Sequence, residues 1–179
     1  MENKVVVGVC GSVAAIETPK VVRELQRRGI DVECVMTESA RKIINENVLE
    51  WASNNKVITE LTGGVEHVRL CGVGGEASLL LIYPATANTI SKIANGIDDT
   101  PVTTFATTAL GSGIPIIIAP AMHISIYKNP FVTENIKKLK DTGIIFVEPR
   151  IEEKKAKLAD IKSIVNTVIK ISNGNNKSK

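Results

Sequence analysis

Val5-Val6-Val7-Gly8-Val9 is a β-branched run without polar alternation, which suits a strand covered on both faces in a parallel sheet. Ser78 to Tyr83, Ile114 to Ala119 and Ile144 to Val147 read as further apolar strands, and Ile30 to Met36 reads as the second strand. Between these runs the apolar positions change to helical spacing. Pro19 suits a first helical turn, Val21, Val22 and Leu25 share one face, Lys20, Arg23, Glu24, Arg27 and Arg28 take the other, and Gly29 ends the pattern. Thr37 and Ser39 open a helix over Ala40 to Ile44, and Thr86-Ala87-Asn88-Thr89 opens another after Pro84. Further helices are predicted at Val48 to Ala52, Val102 to Leu110, Pro130 to Asp141 and Leu158 to Ile171, with a short strand at Lys56 to Thr59. From Asn45 to Gly75 the pattern is otherwise weak.

Strands alternating with helices predict right-handed βαβ crossovers, hence an α/β protein with a doubly wound parallel sheet in three layers, α/β/α. The chain of 179 residues, 44% of them hydrophobic, is long enough for one domain over residues 1–172. A polar, Lys-tipped tail follows at 173–179 and is expected to fray. The balance of 22 Lys+Arg against 19 Asp+Glu leaves a charge of only +3, which argues for neither a nucleic acid partner nor an anionic membrane. Cys10, Cys34 and Cys71 form no CxxC pair and are odd in number, so no disulfide framework and no metal site is indicated. The apolar run Val5 to Ile16 is broken by Gly8, Gly11 and Ser12, unlike a signal sequence, and no stretch reaches the roughly 18 apolar residues of a membrane span. A cytoplasmic protein is expected.

In a sheet of this kind ligands bind beyond the carboxyl ends of the strands, and four such ends look specialised. After the first strand, Gly11 permits a tight turn and Ser12 places a hydroxyl where a phosphate would meet a helix start, although the GxGxxG spacing of a dinucleotide site is missing. Thr37 and Ser39 after the second strand serve equally as helix caps. Pro84-Ala85-Thr86-Ala87-Asn88-Thr89 mixes small and hydrogen-bonding residues, which lets a flat ring approach the backbone. The fourth end, Pro120-Ala121-Met122-His123, adds a soft packing surface and a titratable donor.

Taken in order, GSVAA at 11–15, MTESA at 36–40, PATANT at 84–89, PVTT at 101–104 and PAMHxxxYxNP at 120–130 resemble the flavin-containing cysteine decarboxylase superfamily, from about Lys4 to Val147. The resemblance implies a Rossmann-like, flavodoxin-type domain that binds FMN and assembles as a homo-oligomer, a trimer or a multiple of trimers, with flavin sites at subunit contacts. It implies that Gly11, Ser12 and Val13, with Thr37 and Ser39, hold the flavin phosphate. Pro84, Ala85, Thr86, Asn88 and Thr89, with Thr103 and Thr104, would line the isoalloxazine, and Ala121 and Met122 would close over it. The ring would carry the electrons.

Three departures from the decarboxylase pattern then set the expected reaction. His67, in Glu66-His67-Val68-Arg69-Leu70, resembles the family's acid/base histidine, but a Gly-rich loop lengthens its spacing to PATANT. His123 stands where the decarboxylases carry an asparagine that contacts the substrate carboxylate. Glu148 to Lys157 contains neither the cysteine nor the glycines of the decarboxylase flap and reads as a solvated charged face. The chain therefore looks most like the archaeoflavoprotein branch and is similar to the dihydromethanopterin reductases. That likeness implies an FMN oxidoreductase passing electrons from ferredoxin or a similar donor to an iron–sulfur flavoprotein or a reduced pterin, with His123 or His67 as proton source. The alternative is a phosphopantothenoylcysteine decarboxylase-like lyase with His67 as base, and a flavin prenyltransferase-like role is a third reading.

Overall fold

The computed structural model describes residues 3–152 and 155–175. The chain begins with β1 (Lys4–Val9), a 3-10 turn at Val13–Glu17, α1 (Thr18–Arg27), β2 (Asp31–Met36), α2 (Glu38–Arg41), α3 (Glu46–Ser53) and α4 (Glu66–Cys71). It continues with β3 (Ala77–Ala85), α5 (Ala87–Ala94), α6 (Pro101–Ser112), β4 (Ile116–Pro120), β5 (Met122–His123) and α7 (Ile124–Tyr127). The last elements are α8 (Pro130–Asp141), β6 (Ile145–Phe146), β7 (Arg150–Glu152), β8 (Lys155–Lys157) and α9 (Ile161–Asn175).

A five-stranded sheet in the order β2-β1-β3-β4-β6 forms the middle layer, and every pairing in it is parallel. Alternate residues of the apolar runs supply two separate cores, which is why those runs lack polar positions. Val5, Val7, Leu79, Leu81 and Tyr83 pack with Val21 and Leu25 of α1 and Val165 of α9. Val6, Leu80 and Ile82 face the other way, onto Ile90, Phe105 and Ile136. Gly8 is the exception in β1, because a Cβ there would stand 3.0 Å from Val102 Cγ1; its hydrogen lets the start of α6 lie close on the sheet. Strand order reverses between β1 and β3, so a crevice opens where their following loops diverge.

The three-layer α/β architecture follows the predicted one, and α8 keeps the predicted bounds. Four differences have physical causes. Lys56 to Thr59 forms only an isolated parallel bridge, Val35 to Ile58, in which Ile58 N donates to Cys34 O and Met36 N to Ile58 O on the outer edge of β2. The segment before β3 contains α4, which two side-chain anchors hold despite weak periodicity. The charged run at 148–157 is not a bare solvated face: β7 and β8 form an antiparallel hairpin that pairs with β5. Helix α9 continues through Asn175, past the expected tail boundary, while 176–179 lie outside the described residues.

The amino end of the sheet is closed by charge. Glu33, 8% exposed on β2, accepts from Lys4 Nζ at 2.8 Å and from both terminal nitrogens of Arg69 at 3.3 and 3.0 Å. Glu76 bonds the same two cations. Burial opposes the charge on Lys4, but the Glu33 and Glu76 carboxylates more than offset it and raise its pKa above the ordinary value. Neutralising this buried acid weakens its charge-assisted bonds to Lys4 and Arg69 and leaves only the more exposed Glu76 and Asp31 to balance them, so Glu33→Gln should lower unfolding free energy by about 2 kcal/mol in urea titrations. Hydrogen bonds from Lys4 and Arg69 hold the Glu76 carboxyl below its usual range. A depressed folded pKa gives stability that is present above the unfolded pKa and lost as pH falls through the folded one. Urea midpoints should therefore decline on acidification, and Glu76→Gln should flatten part of that decline.

Candidate functional site

At the carboxyl ends of the strands, backbone groups with no further ladder to join bond from loop to loop. Cys10 N donates to Pro84 O at 3.3 Å, Thr37 N to Val9 O at 3.0 Å, and Ala121 N to Ala85 O at 3.0 Å. Ser12 Oγ donates to Ala121 O at 3.4 Å. Gly11 lies directly against the second loop: a Cβ at this position would fall 2.5 Å from Ser39 Cβ and 3.1 Å from its carbonyl carbon. The four loops singled out from the sequence thus form one crest, and only a hydrogen fits at the contact between the first two.

Several of the expected polar contacts are already engaged as helix caps. Thr37 accepts from Ala40 N at 3.1 Å, and Thr86 accepts from Thr89 N at 3.3 Å. Thr103 is buried and shares a capping box with Thr100, donating to the Thr100 carbonyl at 2.9 Å. Thr104 donates to Asp98 and to Thr100 O. Ser39 and Asn88 differ: both are exposed, and neither bonds another described residue. Small walls at Pro84, Ala85 and Ala121, flanked by the open polar ends of Ser39 and Asn88, fit a flat ring with a phosphate tail.

A cavity of about 860 Å³ opens beside the crest, lined by Ser12, Val13, Ala121, Met122 and His123 among the expected residues. Tyr83, Leu158 and Ile161 give it apolar walls, and Glu17, Arg150, Lys157, Asp160 and Lys162 bring charge. The hairpin is tied to the crest through the Met122 to Ala156 and His123 to Lys155 pairings. His123 caps α7, its Nδ1 accepting from Ser125 N at 3.2 Å; a neutral ring therefore carries its proton on Nε2. The exposed imidazole offers a directed N–H donor at the cavity.

The remaining expected residues do not line this cavity. Gly11, Thr37 and Ser39 stand on the crest beside it, and the Pro84–Thr89 loop lies behind. Thr104 instead lines a second cavity of about 710 Å³, together with Glu38, Arg41 and Thr100. His67 is on α4, edge-on to Phe105 with centroids 6.4 Å apart, and its buried Nδ1 has no hydrogen-bond partner. No cysteine lines the cavity. Burial, the largest cause, pushes the Cys10 thiol up to about 11 and those of Cys34 and Cys71 up to about 12, so all three are protonated thiols at neutral pH. Among the described residues no cluster of potential metal ligands occurs, and no helix is long and apolar enough to cross a membrane. Sequence reasoning missed Arg150 and Lys157, whose only signal was a charged run of ordinary surface type, and Lys162, an ordinary polar-face position of the predicted terminal helix, as cavity-lining residues.

The model of the family described as Flavoprotein matches residues 1–173. The chain is 55% identical over 169 residues to the coenzyme A biosynthesis bifunctional protein CoaBC of Thermococcus kodakarensis, covering 94% of this chain and 42% of the relative. It is 46% identical to the CoaBC protein of Methanocaldococcus jannaschii, covering 97% of this chain and 42% of the relative. The chain thus spans about two fifths of the length of these relatives. Among solved structures, the FMN-dependent cysteine decarboxylase SpaF superposes with a TM-score of 0.81 at 31% identity, covering 96% of this chain and 98% of SpaF. The peptidyl-cysteine decarboxylase EpiD gives 0.81 at 27%, covering 94% and 99%.

Likeness to CoaBC proteins and cysteine decarboxylases overturns the expectation of an electron-transfer oxidoreductase served by ferredoxin, an iron–sulfur flavoprotein or a pterin. It also removes the support for an archaeoflavoprotein or dihydromethanopterin reductase branch. One departure misleads at the flap: a charged run without cysteine or glycine reads as a solvated face, whereas the backbone pairs as antiparallel strands there. For the crest, Gly11→Ala should force the 37–39 loop outward, costing about 1–3 kcal/mol as overpacking. The expected readouts are a lower Tm and weaker retention of yellow chromophore through gel filtration.

Proposed function

The chain belongs to the Flavoprotein family, and we propose that it is an FMN-dependent decarboxylase domain, a lyase acting on the cysteinyl carboxylate of phosphopantothenoylcysteine. Its cofactor is FMN. The 55% identity to a CoaBC protein over nearly the whole chain carries this reading, and the crest supplies residues suited to it.

In this reading Ser12 and Ser39 supply the hydroxyls that bind the phosphate, which the close approach of Gly11 to Ser39 supports by bringing their loops together. Pro84, Ala85 and Ala121 form small walls for the ring, with Asn88 as an open amide at its edge and Met122 as a soft cover. Val13, three-quarters exposed, adds apolar surface at the cavity. Thr37, Thr86, Thr89 and Thr103 act indirectly, by capping and packing the elements that carry the loops. Thr104 belongs to the second cavity.

When bound, FMN supplies a reversible two-electron acceptor: oxidation of the cysteinyl thiol carbon eases loss of CO₂ from the neighbouring carboxylate, and the same electron pair returns to the product. The protein's share is to orient the carboxylate and move protons. His123 presents Nε2–H at the cavity as a donor to that carboxylate, its ring held by the cap from Ser125 N. His67 is the proposed base, since its buried Nδ1 lacks a partner and can take a proton without breaking an existing bond. It does not line the cavity of its own protomer. The reading therefore includes a homo-oligomer, a trimer or multiple of trimers, in which α4 of one copy meets the crest of another. Exposed Val65 and Val68 on and beside α4 favour such a contact.

The decisive measurement is CO₂ release from phosphopantothenoylcysteine by the yellow, oligomeric protein; release is expected, and its absence with intact bound flavin rejects the reading. His123→Ala should lower kcat/KM by about 10- to 100-fold, the worth of one hydrogen bond to a charged group, with flavin content unchanged. Ser12→Asp should give folded, colourless protein, because a carboxylate repels the phosphate; absorbance at the flavin band against circular dichroism checks it.

A further inference from the structure

We infer that Tyr83 is a specificity-determining residue of the 860 Å³ cavity, its phenolic O–H donating to an amide carbonyl of the bound substrate. The inference rests on the decarboxylase reading for the substrate's amide-linked chain and names the group on the cavity floor that recognises it.

Tyr83 lies near the end of β3, on the sheet face where Leu79 and Leu81 pack toward α1 and α9. An aliphatic side chain would continue that row; the phenol adds one oxygen to it. The residue is 1% exposed, yet it lines the cavity. Its hydroxyl bonds no other described residue. Among the described residues, the fully enclosed side-chain polar atom without a partner is His67 Nδ1, so the unbonded Tyr83 oxygen keeps an opening, and the cavity is the space that Tyr83 borders. Buried phenols ordinarily find a partner. The chain's other tyrosine does so: Tyr127, less buried, donates to Glu148 Oε2 at 2.7 Å.

The kind of acceptor follows from the surroundings. Ala121, Leu158 and Ale159 are buried on the same cavity, whereas Arg150, Asp160 and Lys162 are exposed. Charge therefore belongs to the rim and apolar surface to the floor. An anion brought down to the floor would lose its hydration against apolar walls, and a hydrocarbon there would leave the phenol unpaired; a neutral carbonyl avoids both costs. Burial, the larger cause, and the charge of Glu17 push the Tyr83 phenol above its ordinary value. It is protonated at neutral pH and acts as the donor. Glu17 itself is paired with Lys20 at 2.8 Å. Phosphopantothenoylcysteine carries two amide carbonyls between its ends, so a donor on the floor reads the chain while His123 meets the carboxylate.

Tyr83→Phe removes the oxygen and keeps the ring. Because no group in the protein loses a partner, Tm should stay unchanged or rise. The flavin-loaded oligomer is titrated by calorimetry with 4′-phosphopantetheine, the thiol left after loss of CO₂, and the variant should bind it about 3- to 10-fold more weakly, the worth of one neutral hydrogen bond. In infrared difference spectra of the same complex, with carbon-13 placed at each amide carbonyl in turn, one amide band should move to higher wavenumber in the variant, a change that altered packing alone does not produce. In turnover, KM should rise by the same factor with kcat unchanged, since a bond to the unreacting chain is equally strong in the ground and transition states. A lower Tm, equal affinity or an unmoved amide band overturns the assignment. The two readings fail separately. CO₂ release with KM unaltered in Tyr83→Phe rejects the Tyr83 contact and upholds decarboxylation, whereas weaker probe binding and a moved amide band without CO₂ release do the reverse.

Discussion

Backbone groups at the carboxyl ends of β1, β3 and β4 run out of strand neighbours at the place where strand order reverses, and buried polar groups of this kind must find partners. The fold satisfies them between loops, with Cys10 bonding Pro84 and Ala121 bonding Ala85. Those bonds bring the first, third and fourth loops together, and the Gly11 contact with Ser39 adds the second. The crest proposed for the flavin is thus a by-product of closing the sheet's own hydrogen bonds. Each loop is tied at its root, while the side chains of Ser39 and Asn88 stay open at the tips.

Charge is distributed between the two ends of the sheet in different ways. At the amino end, Lys4, Arg69, Glu33 and Glu76 neutralise one another and anchor α4, the helix that carries His67. At the carboxyl end, Arg150, Lys157 and Lys162 line one cavity together with Glu17 and Asp160. The first arrangement is self-contained and structural. The second places both signs of charge on the wall of an open cavity.

The hairpin shows most clearly how local reading and tertiary arrangement part. Arg150 to Lys157 has the composition of a solvated surface, and two-residue or three-residue strands carry almost no periodic signal. It is ordered into strands by a neighbour, β5, which itself is only Met122–His123. The expectation of an electron carrier rests in part on the missing cysteine and glycines in this segment, and side-chain identity is a poor guide to whether its backbone pairs into strands. Helix α4 was missed for a similar reason: Arg69 and the packing of Leu70 hold it, and both depend on strands distant in sequence.

The sequence by itself determined the sheet, because uninterrupted β-branched and aliphatic runs tolerate only burial on both faces, and it determined the crest, because small residues and hydroxyls cluster directly after those runs. Which of these groups remain open to a ligand was decided by the tertiary structure. Thr37, Thr86 and Thr103 turned inward as caps, Ser39 and Asn88 stayed unpartnered, and Thr104 fell on a different cavity. A hydroxyl looks the same in sequence whether it caps a helix or meets a cofactor. Only the folded backbone, by fixing where each helix starts relative to the strand ends, separates the two roles and sets His123, Arg150 and Lys157 around one shared space.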